Sequence, residues 1–156
     1  MIRLVRVDDR LLHGQVSFYW TEYLNLSEII IVNNEASEDD FTKMILDLAK
    51  PKDVKLTIVP IDNCKSILNQ ALKSMDNIIV IVSNLIDAKI IFDSFSLLKI
   101  CNLGGLRNRP GAIQVSEYLY LTCEDTAVIR ELMQREIEMQ ICKSPYDTRI
   151  NIREYI

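Results

Sequence analysis

Short apolar runs rich in Ile, Val and Leu alternate along this chain with stretches whose apolar residues recur every three or four positions. The two periods predict strands and helices in turn. The strand-like runs are Ile2 to Val7, Ile29 to Val32, Val54 to Val59, Ile78 to Val82 and Leu98 to Leu103. Between them, Phe41, Met44, Ile45, Leu48 and Ala49 trace one helical face, and Cys64, Ile67, Leu68, Ala71, Leu72 and Met75 another. Both stripes are expected to face a sheet. Weaker stripes, Val16-Trp20-Tyr23-Leu24 and Ala88-Ile91-Phe92-Phe95, predict two further covering helices.

Helix punctuation agrees with this division. Ser37-x-x-Asp40 and Thr122-x-x-Asp125 read as capping boxes, and Pro51 closes the second helix. After residue 105 the pattern weakens, leaving a strand near Tyr118 to Leu121, a helix from about Glu124 to Arg135 and a strand near Ile137 to Cys142. Strands that are apolar almost throughout imply a parallel sheet covered on both faces, so the fold class is α/β. No repeat, low-complexity tract or linker divides residues 1–156, which read as a single domain.

Composition narrows the function. At 156 residues, 49% hydrophobic and 26% charged, the chain can bury a sizeable core. A net charge of -4 offers no general attraction to nucleic acid or anionic lipid, so an anion site must come from a few local arginines. No apolar run approaches the roughly 20 residues of a membrane-spanning helix, and no leader precedes the first strand, so a cytoplasmic location is expected. Cys64, Cys101, Cys123 and Cys142 are widely spaced in apolar surroundings and read as reduced thiols packed as small hydrophobes, with no metal site.

The only histidine, His13, stands where the first strand gives way to the first helix, in Arg6-Val7-Asp8-Asp9-Arg10-Leu11-Leu12-His13-Gly14-Gln15-Val16. Unpaired backbone N–H groups at a helix start favour an anion, and Arg6 and Arg10 add donors suited to phosphate oxygens. His13 is therefore read as a phosphoryl acceptor and donor, since a neutral ring nitrogen needs no separate base and the site need only stabilise charge. Asp8 and Asp9 are expected to orient an arginine, the ring or the loop. Gly14 allows close backbone approach and Gln15 offers an amide donor. A second segment, Asn102-Leu103-Gly104-Gly105-Leu106-Arg107-Asn108-Arg109-Pro110-Gly111, should reach the same edge, with Gly104 and Gly105 better placed than Arg107 and Arg109. Asn33 and Asn34 either donate hydrogen bonds there or only form a turn.

The His13 segment resembles the active-site motif of the enzyme IIB component of mannose, fructose and sorbose type sugar phosphotransferase systems. The similarity extends to Trp20, Ile30-Ile31-Val32-Asn33-Asn34-Glu35 and Asn102-Leu103-Gly104-Gly105, and so covers nearly the whole chain. The resemblance implies a mostly parallel, about seven-stranded sheet with helices on both faces. It implies a phosphohistidine–sugar phosphotransferase without cofactor: a separate enzyme IIA passes its phosphoryl group to His13, which passes it to a sugar held by the membrane subunits IIC and IID. The sugar would be of the mannose, fructose, sorbose or N-acetylated hexosamine class. A free-standing cytoplasmic IIB, transiently at the inner membrane face, is expected. Asn34 departs from the acidic residue many members carry, and the Arg107 to Arg109 stretch is variable among them.

Two rivals stand beside this reading. A receiver-type signalling domain would use Asp8 and Asp9, Asp62 and Ser83 after successive strands, but it needs a lysine after the fifth strand, where Asn102 and Gly104-Gly105 stand, and Asp62 reads better as a helix N-cap. A regulatory module would bind sugar phosphate without chemistry. A histidine phosphatase is excluded by the lack of a second histidine, and the lack of a cysteine opening an anion-cradling loop argues against a cysteine-phosphorylated IIB.

Overall fold

The computed structural model describes residues 1–14 and 16–156. The branched apolar runs form β1 (Ile2–Asp8), β2 (Glu28–Val32), β3 (Lys55–Val59), β4 (Ile78–Val82) and β5 (Ile100–Gly105). A short antiparallel hairpin, β6 (Ile113–Ser116) and β7 (Leu119–Leu121), precedes β8 (Glu138–Ile141). Six of these strands make one wholly parallel sheet in the order β3-β2-β4-β1-β5-β8. The central β4 is buried at every position, whereas the edge strand β3 is half-buried. Burial of each such Ile or Val contributes roughly 1.5–3 kcal/mol, so the centre of the sheet is its best-anchored part.

The α/β class holds, with six parallel strands and a separate hairpin where about seven were expected. The segment near Tyr118 to Leu121 accounts for the difference: it pairs with β6, a strand the sequence pattern did not reveal, and meets the main sheet only through a bridge from Leu119 to Leu106.

A π-helical turn, Val16–Trp20, runs into α1 (Thr21–Leu24), followed by α2 (Asn34–Glu38), α3 (Asp40–Ala49), α4 (Cys64–Lys73), α5 (Leu85–Ser94) and α6 (Cys123–Gln134). Val16, Trp20, Ala36 and Leu46 pack with Leu4, Ile29 and Ile31 on one face of the sheet. Leu68, Ile91, Phe92 and Ile129 pack with Val5, Val7 and Val80 on the other. The chain leaving β1 therefore departs to one face and the chain leaving β4 to the other, the topology that opens a crevice at the carboxyl ends of the strands.

Several expectations are corrected. All of the α3 stripe but Ala49 faces solvent: Phe41 is 65% exposed and Leu48 78%, Ala49 packs partly buried against the core, and Leu46 is the fully buried residue of this helix. Periodicity marks two faces of a helix without saying which one meets the sheet, and here the Ser17 hydroxyl holds the Ala49 carbonyl at 2.5 Å on the Leu46 side. Met75 lies beyond the end of α4 and is exposed, as is Tyr23 on the very short α1. Ser37 caps nothing. Asn33 and Asp39 are the N-caps of α2 and α3, accepting from the Ala36 and Thr42 amides. Asp62 lies inside a 3-10 turn, Ile61–Asn63, and does not cap α4. The Thr122–Asp125 capping box is complete. Cys64, Cys101 and Cys142 are buried, but Cys123, in the first turn of α6, is exposed; all four are free thiols.

Candidate functional site

Strand alternation explains how a charged cluster comes to lie inside this sheet. Val5 and Val7 point to one face, so Arg6 and Asp8 point to the other, beside Leu4. The parallel register sets Arg6 opposite Asn102, and Asn102 opposite Gln140, while Asp8 falls opposite Gly105. Arg6, Asp8 and Asn102 are completely buried. A buried guanidinium is tolerable only when paired and hydrogen-bonded, and this one is. Its Nη2 donates to Asp8 Oδ2 at 2.9 Å and its Nη1 to Asn102 Oδ1 at 2.5 Å, leaving Nε as a buried nitrogen without an acceptor among the described residues. Asn102 is held in turn by its amide, which donates to the carbonyls of Gln140 and Cys142.

Two further residues make room for and cover this pair. The Trp20 ring lies with its centroid 5.7 Å from Arg6 Cζ, and its indole N–H donates to the Lys143 carbonyl at 2.9 Å. On Gly104, a Cβ would stand 2.0 Å from Arg6 Cζ, so only a residue without a side chain leaves space for the guanidinium.

Asp8 joins this buried pair to the surface. Its Oδ2 also lies 3.0 Å from His13 Nε2, while Oδ1 accepts the Arg10 amide at 3.1 Å and stands 3.6 Å from Arg10 Nε. The loop reaches this arrangement by turning at Leu11, whose φ of 57° is left-handed and whose amide bonds the Asp8 carbonyl. His13 is thereby folded back over Asp8, its ring 21% exposed, and Arg10 is 42% exposed at the same edge. The helical coil after it begins with a bond from the Ser17 amide to the His13 carbonyl. Burial raises the Asp8 carboxyl, but the His13 hydrogen bond and the Arg6 charge together outweigh it, leaving its pKa below the ordinary carboxylate value. Burial pulls the Arg6 pKa down against the opposing pull of Asp8; starting from so high a value, the guanidinium stays charged.

The residues singled out from sequence thus divide. His13, Asp8, Arg10 and Arg6 form one connected cluster, but Arg6 lies beneath it rather than at the open edge with Arg10. Gly104 backs Arg6, and Gly105 adjoins Asp8 and Arg10. Gly14 is exposed with open space around it. Gln15 lies outside the described residues. Asp9 accepts from both the amide and the Nε of Arg107, and Arg109 bonds the Tyr120 carbonyl in β7 and Asp125 in α6, so both arginines hold their loop in place. Asn33 and Asn34 serve as a cap and as an acceptor for the Ile61 amide. Sequence reasoning missed Asn102, Gly104 and Trp20 as the seat of Arg6; the signal was a charge in the middle of a strand otherwise buried on both faces.

Comparison with known proteins decides the family. Residues 2–156 match the model of the PTS (phosphotransferase system) sorbose subfamily IIB component. The chain belongs to this family. It is similar to the sorbose-specific EIIB component of Lacticaseibacillus casei, with 31% identity over 90% of the chain and 86% of that protein. It is 28% identical to the mannose-specific EIIAB component of Escherichia coli K12 over its whole length, which spans 48% of that longer protein. The crystal structure of the IIBSor domain of the sorbose permease from Klebsiella pneumoniae superposes with a TM-score of 0.90 at 26% identity, covering 99% of this chain and 94% of that one. As a IIB component, the chain is a phosphotransferase and a phosphoryl carrier in sugar uptake.

The sheet also argues against the receiver-domain arrangement. Asp62 follows β3, three strands from β1, a separation of roughly 14 Å at about 4.8 Å per strand. It does not join Asp8 and Asp9, and among the described residues no group of three or more His, Cys, Asp or Glu is placed to hold a metal ion. Nor are the buried thiols poised as nucleophiles: burial pushes Cys101 up to about 12 and raises Cys64 and Cys142 in the same direction. Among the described residues no helix is long and apolar enough to cross a membrane.

Proposed function

We propose that this IIB component carries its phosphoryl group on Nδ1 of His13, receiving it from the phosphohistidine of an enzyme IIA protein and delivering it to a sugar hydroxyl. The observation that carries this reading is the 3.0 Å contact between His13 Nε2 and Asp8 Oδ2. An ionised carboxylate can only accept, so the ring proton stays on Nε2 and the Nδ1 lone pair is left for phosphorus. In the first transfer Nδ1 forms the new N–P bond while the donor's N–P bond breaks, its electron pair returning to the donor imidazole. In the second, the sugar oxygen bonds to phosphorus, its hydroxyl proton passes to solvent water, and the His13 N–P bond pair returns to Nδ1. Arg10, half-exposed at the same edge, stabilises the equatorial phosphoryl oxygens.

Asp8 fixes the tautomer, and Arg6 fixes Asp8. Gly104 and Gly105 let the strand end pass close to this network, and Gly14, exposed with open space around it, leaves room for the donor protein beside the ring. The whole of residues 1–156 works as one cytoplasmic IIB unit, with IIC and IID at the membrane holding a sugar of the mannose, fructose, sorbose or N-acetylated hexosamine class. The mannose EIIAB and sorbose EIIB relatives support a IIA partner and a sugar acceptor.

Incubation with phosphorylated IIA tests the assignment. Label should appear on His13 alone, survive alkali as a phosphoramidate does, and vanish in His13→Ala. Arg10→Ala should slow transfer by one to two orders of magnitude while the protein stays folded. Label recovered on any other residue would defeat the proposal.

A further inference from the structure

A cavity of about 340 Å³ lies on the β5 side of the His13 loop, bounded by Arg10, Leu106, Glu117, Tyr118, Tyr120 and Lys143 among others. Its chemistry is unusual for a chain of net charge -4. Asp9 is committed to Arg107, which leaves two cations free. Arg10 makes only the long 3.6 Å ion pair to Asp8, and Lys143 forms no salt bridge among the described residues, its ammonium resting 5.4 Å from the centroid of the Tyr118 ring. The remaining walls are apolar or aromatic, from Leu106, Tyr118 and Tyr120, with the exposed Glu117 carboxylate at the rim. Asp9 also borders this space, and its Oδ1 is buried without a hydrogen-bond donor among the described residues.

Two cations on the cavity lining for a phosphate, an aromatic and aliphatic wall for the carbon-bound face of a ring, and the Glu117 carboxylate for a hydroxyl group border a volume of small-ligand size. We propose that this cavity is a reversible binding site for hexose phosphate, with the phosphate between Arg10 and Lys143 and the sugar ring against Tyr120 and Leu106. Arg10 would then serve both the phosphoryl group on His13 and the bound sugar phosphate, so an accumulated product competes with reloading of the carrier. The choice of a hexose phosphate rests on the proposed role in sugar phosphorylation; the cavity and its free cations do not.

The test uses unphosphorylated protein without any phosphoryl donor, titrated by calorimetry and by amide chemical shifts with mannose 6-phosphate, fructose 1-phosphate, the free hexoses, inorganic phosphate and adenosine monophosphate. At least one hexose phosphate should bind tenfold or more tighter than inorganic phosphate, with shifts centred on Arg10, Leu106, Tyr120 and Lys143 and none from the free hexoses. Lys143→Met should weaken that binding about tenfold with an unchanged circular dichroism spectrum, and His13→Ala should bind as the parent does. Equal affinity for inorganic phosphate, tighter binding of the nucleotide, or full affinity in Lys143→Met would each overturn the proposal. Because nothing is transferred in this assay, the cavity can fail while His13 labelling succeeds, and the reverse.

Discussion

Gly104 offers the most direct test of how the site is built. Gly104→Ala places a methyl group 2.0 Å from Arg6 Cζ and within 2.4 Å of both terminal nitrogens. The guanidinium cannot swing aside freely, because Asp8 and Asn102 hold it in a completely buried position. Two responses bound the cost. If the backbone of β5 gives way, overpacking costs about 1–3 kcal/mol; if Arg6 is expelled, Asp8 loses its buried partner at about 3–5 kcal/mol. A loss of about 2–4 kcal/mol is expected, which for a chain of this size lowers Tm by roughly 5–15 °C. Urea and thermal unfolding measure it directly. Repeating the substitution in an Arg6→Ala background supplies the control, since the space is then vacant and the methyl group should cost almost nothing, a coupling of about 2–4 kcal/mol. Equal costs in the two backgrounds would refute the steric reasoning, as would melting like that of the parent.

Three further perturbations separate the parts of this account. Asp8→Asn leaves Arg6 buried without its counter-charge and should cost about 3 kcal/mol at neutral pH; because the Asp8 carboxyl is held below its ordinary value, its contribution is fully present above about pH 4 and fades as pH falls through the depressed value, so parent and variant stabilities should converge in acid, and a constant gap would contradict the ion pair. Thr122→Ala removes the side-chain acceptor of the α6 capping box and should cost about 1 kcal/mol by chemical denaturation, with no change in His13 labelling. Leu46→Ala should cost about 2–5 kcal/mol, whereas Leu48→Lys, on the solvent side of α3, should stay within about 0.5 kcal/mol; the opposite ranking would restore the helix orientation expected from periodicity alone.

What could be read in advance followed from local periodicity. The strands β1, β2, β3, β4 and β5 were legible because branched residues in continuous runs have few alternatives, and α6 because Thr122 and Asp125 close a box within four residues. Orientation was not legible for α3, where both faces offer apolar or small residues and the contacts that distinguish them are distant in sequence, as with Ser17, thirty-two positions from Ala49. The same distinction governs the site. His13 and Arg10 lie in the loop that follows Asp8, the last residue of β1, and the three could be grouped from their spacing. The seat of Arg6 required the register of β1 on β5, which brings Asn102 and Gly104 beneath a residue almost a hundred positions earlier. Lys143, Tyr118 and Tyr120 gather at one cavity only because a hairpin and the segment after β8 meet there, and no local pattern marks that meeting.

The arrangement around Asp8 also addresses a requirement peculiar to a carrier, which must accept a phosphoryl group readily and yet give it up. On the proposed route, a carboxylate facing Nε2 favours both events: in the neutral ring it directs the proton to Nε2 and leaves the Nδ1 lone pair for loading, and after transfer the same Nε2–H lets the departing ring leave as neutral imidazole. An unpaired buried carboxylate would act too strongly, since it would itself bind a proton or bind an imidazolium in preference to the neutral ring. Arg6 shares Oδ2 with His13 and draws off part of that charge, and because it is sealed beneath Trp20 and over Gly104 it does so without competing for the phosphoryl oxygens. On the proposed route, two arginines four residues apart would thus divide the work that one exposed cluster would do poorly: Arg10 would meet the travelling group, and Arg6 would moderate the carboxylate that holds the ring.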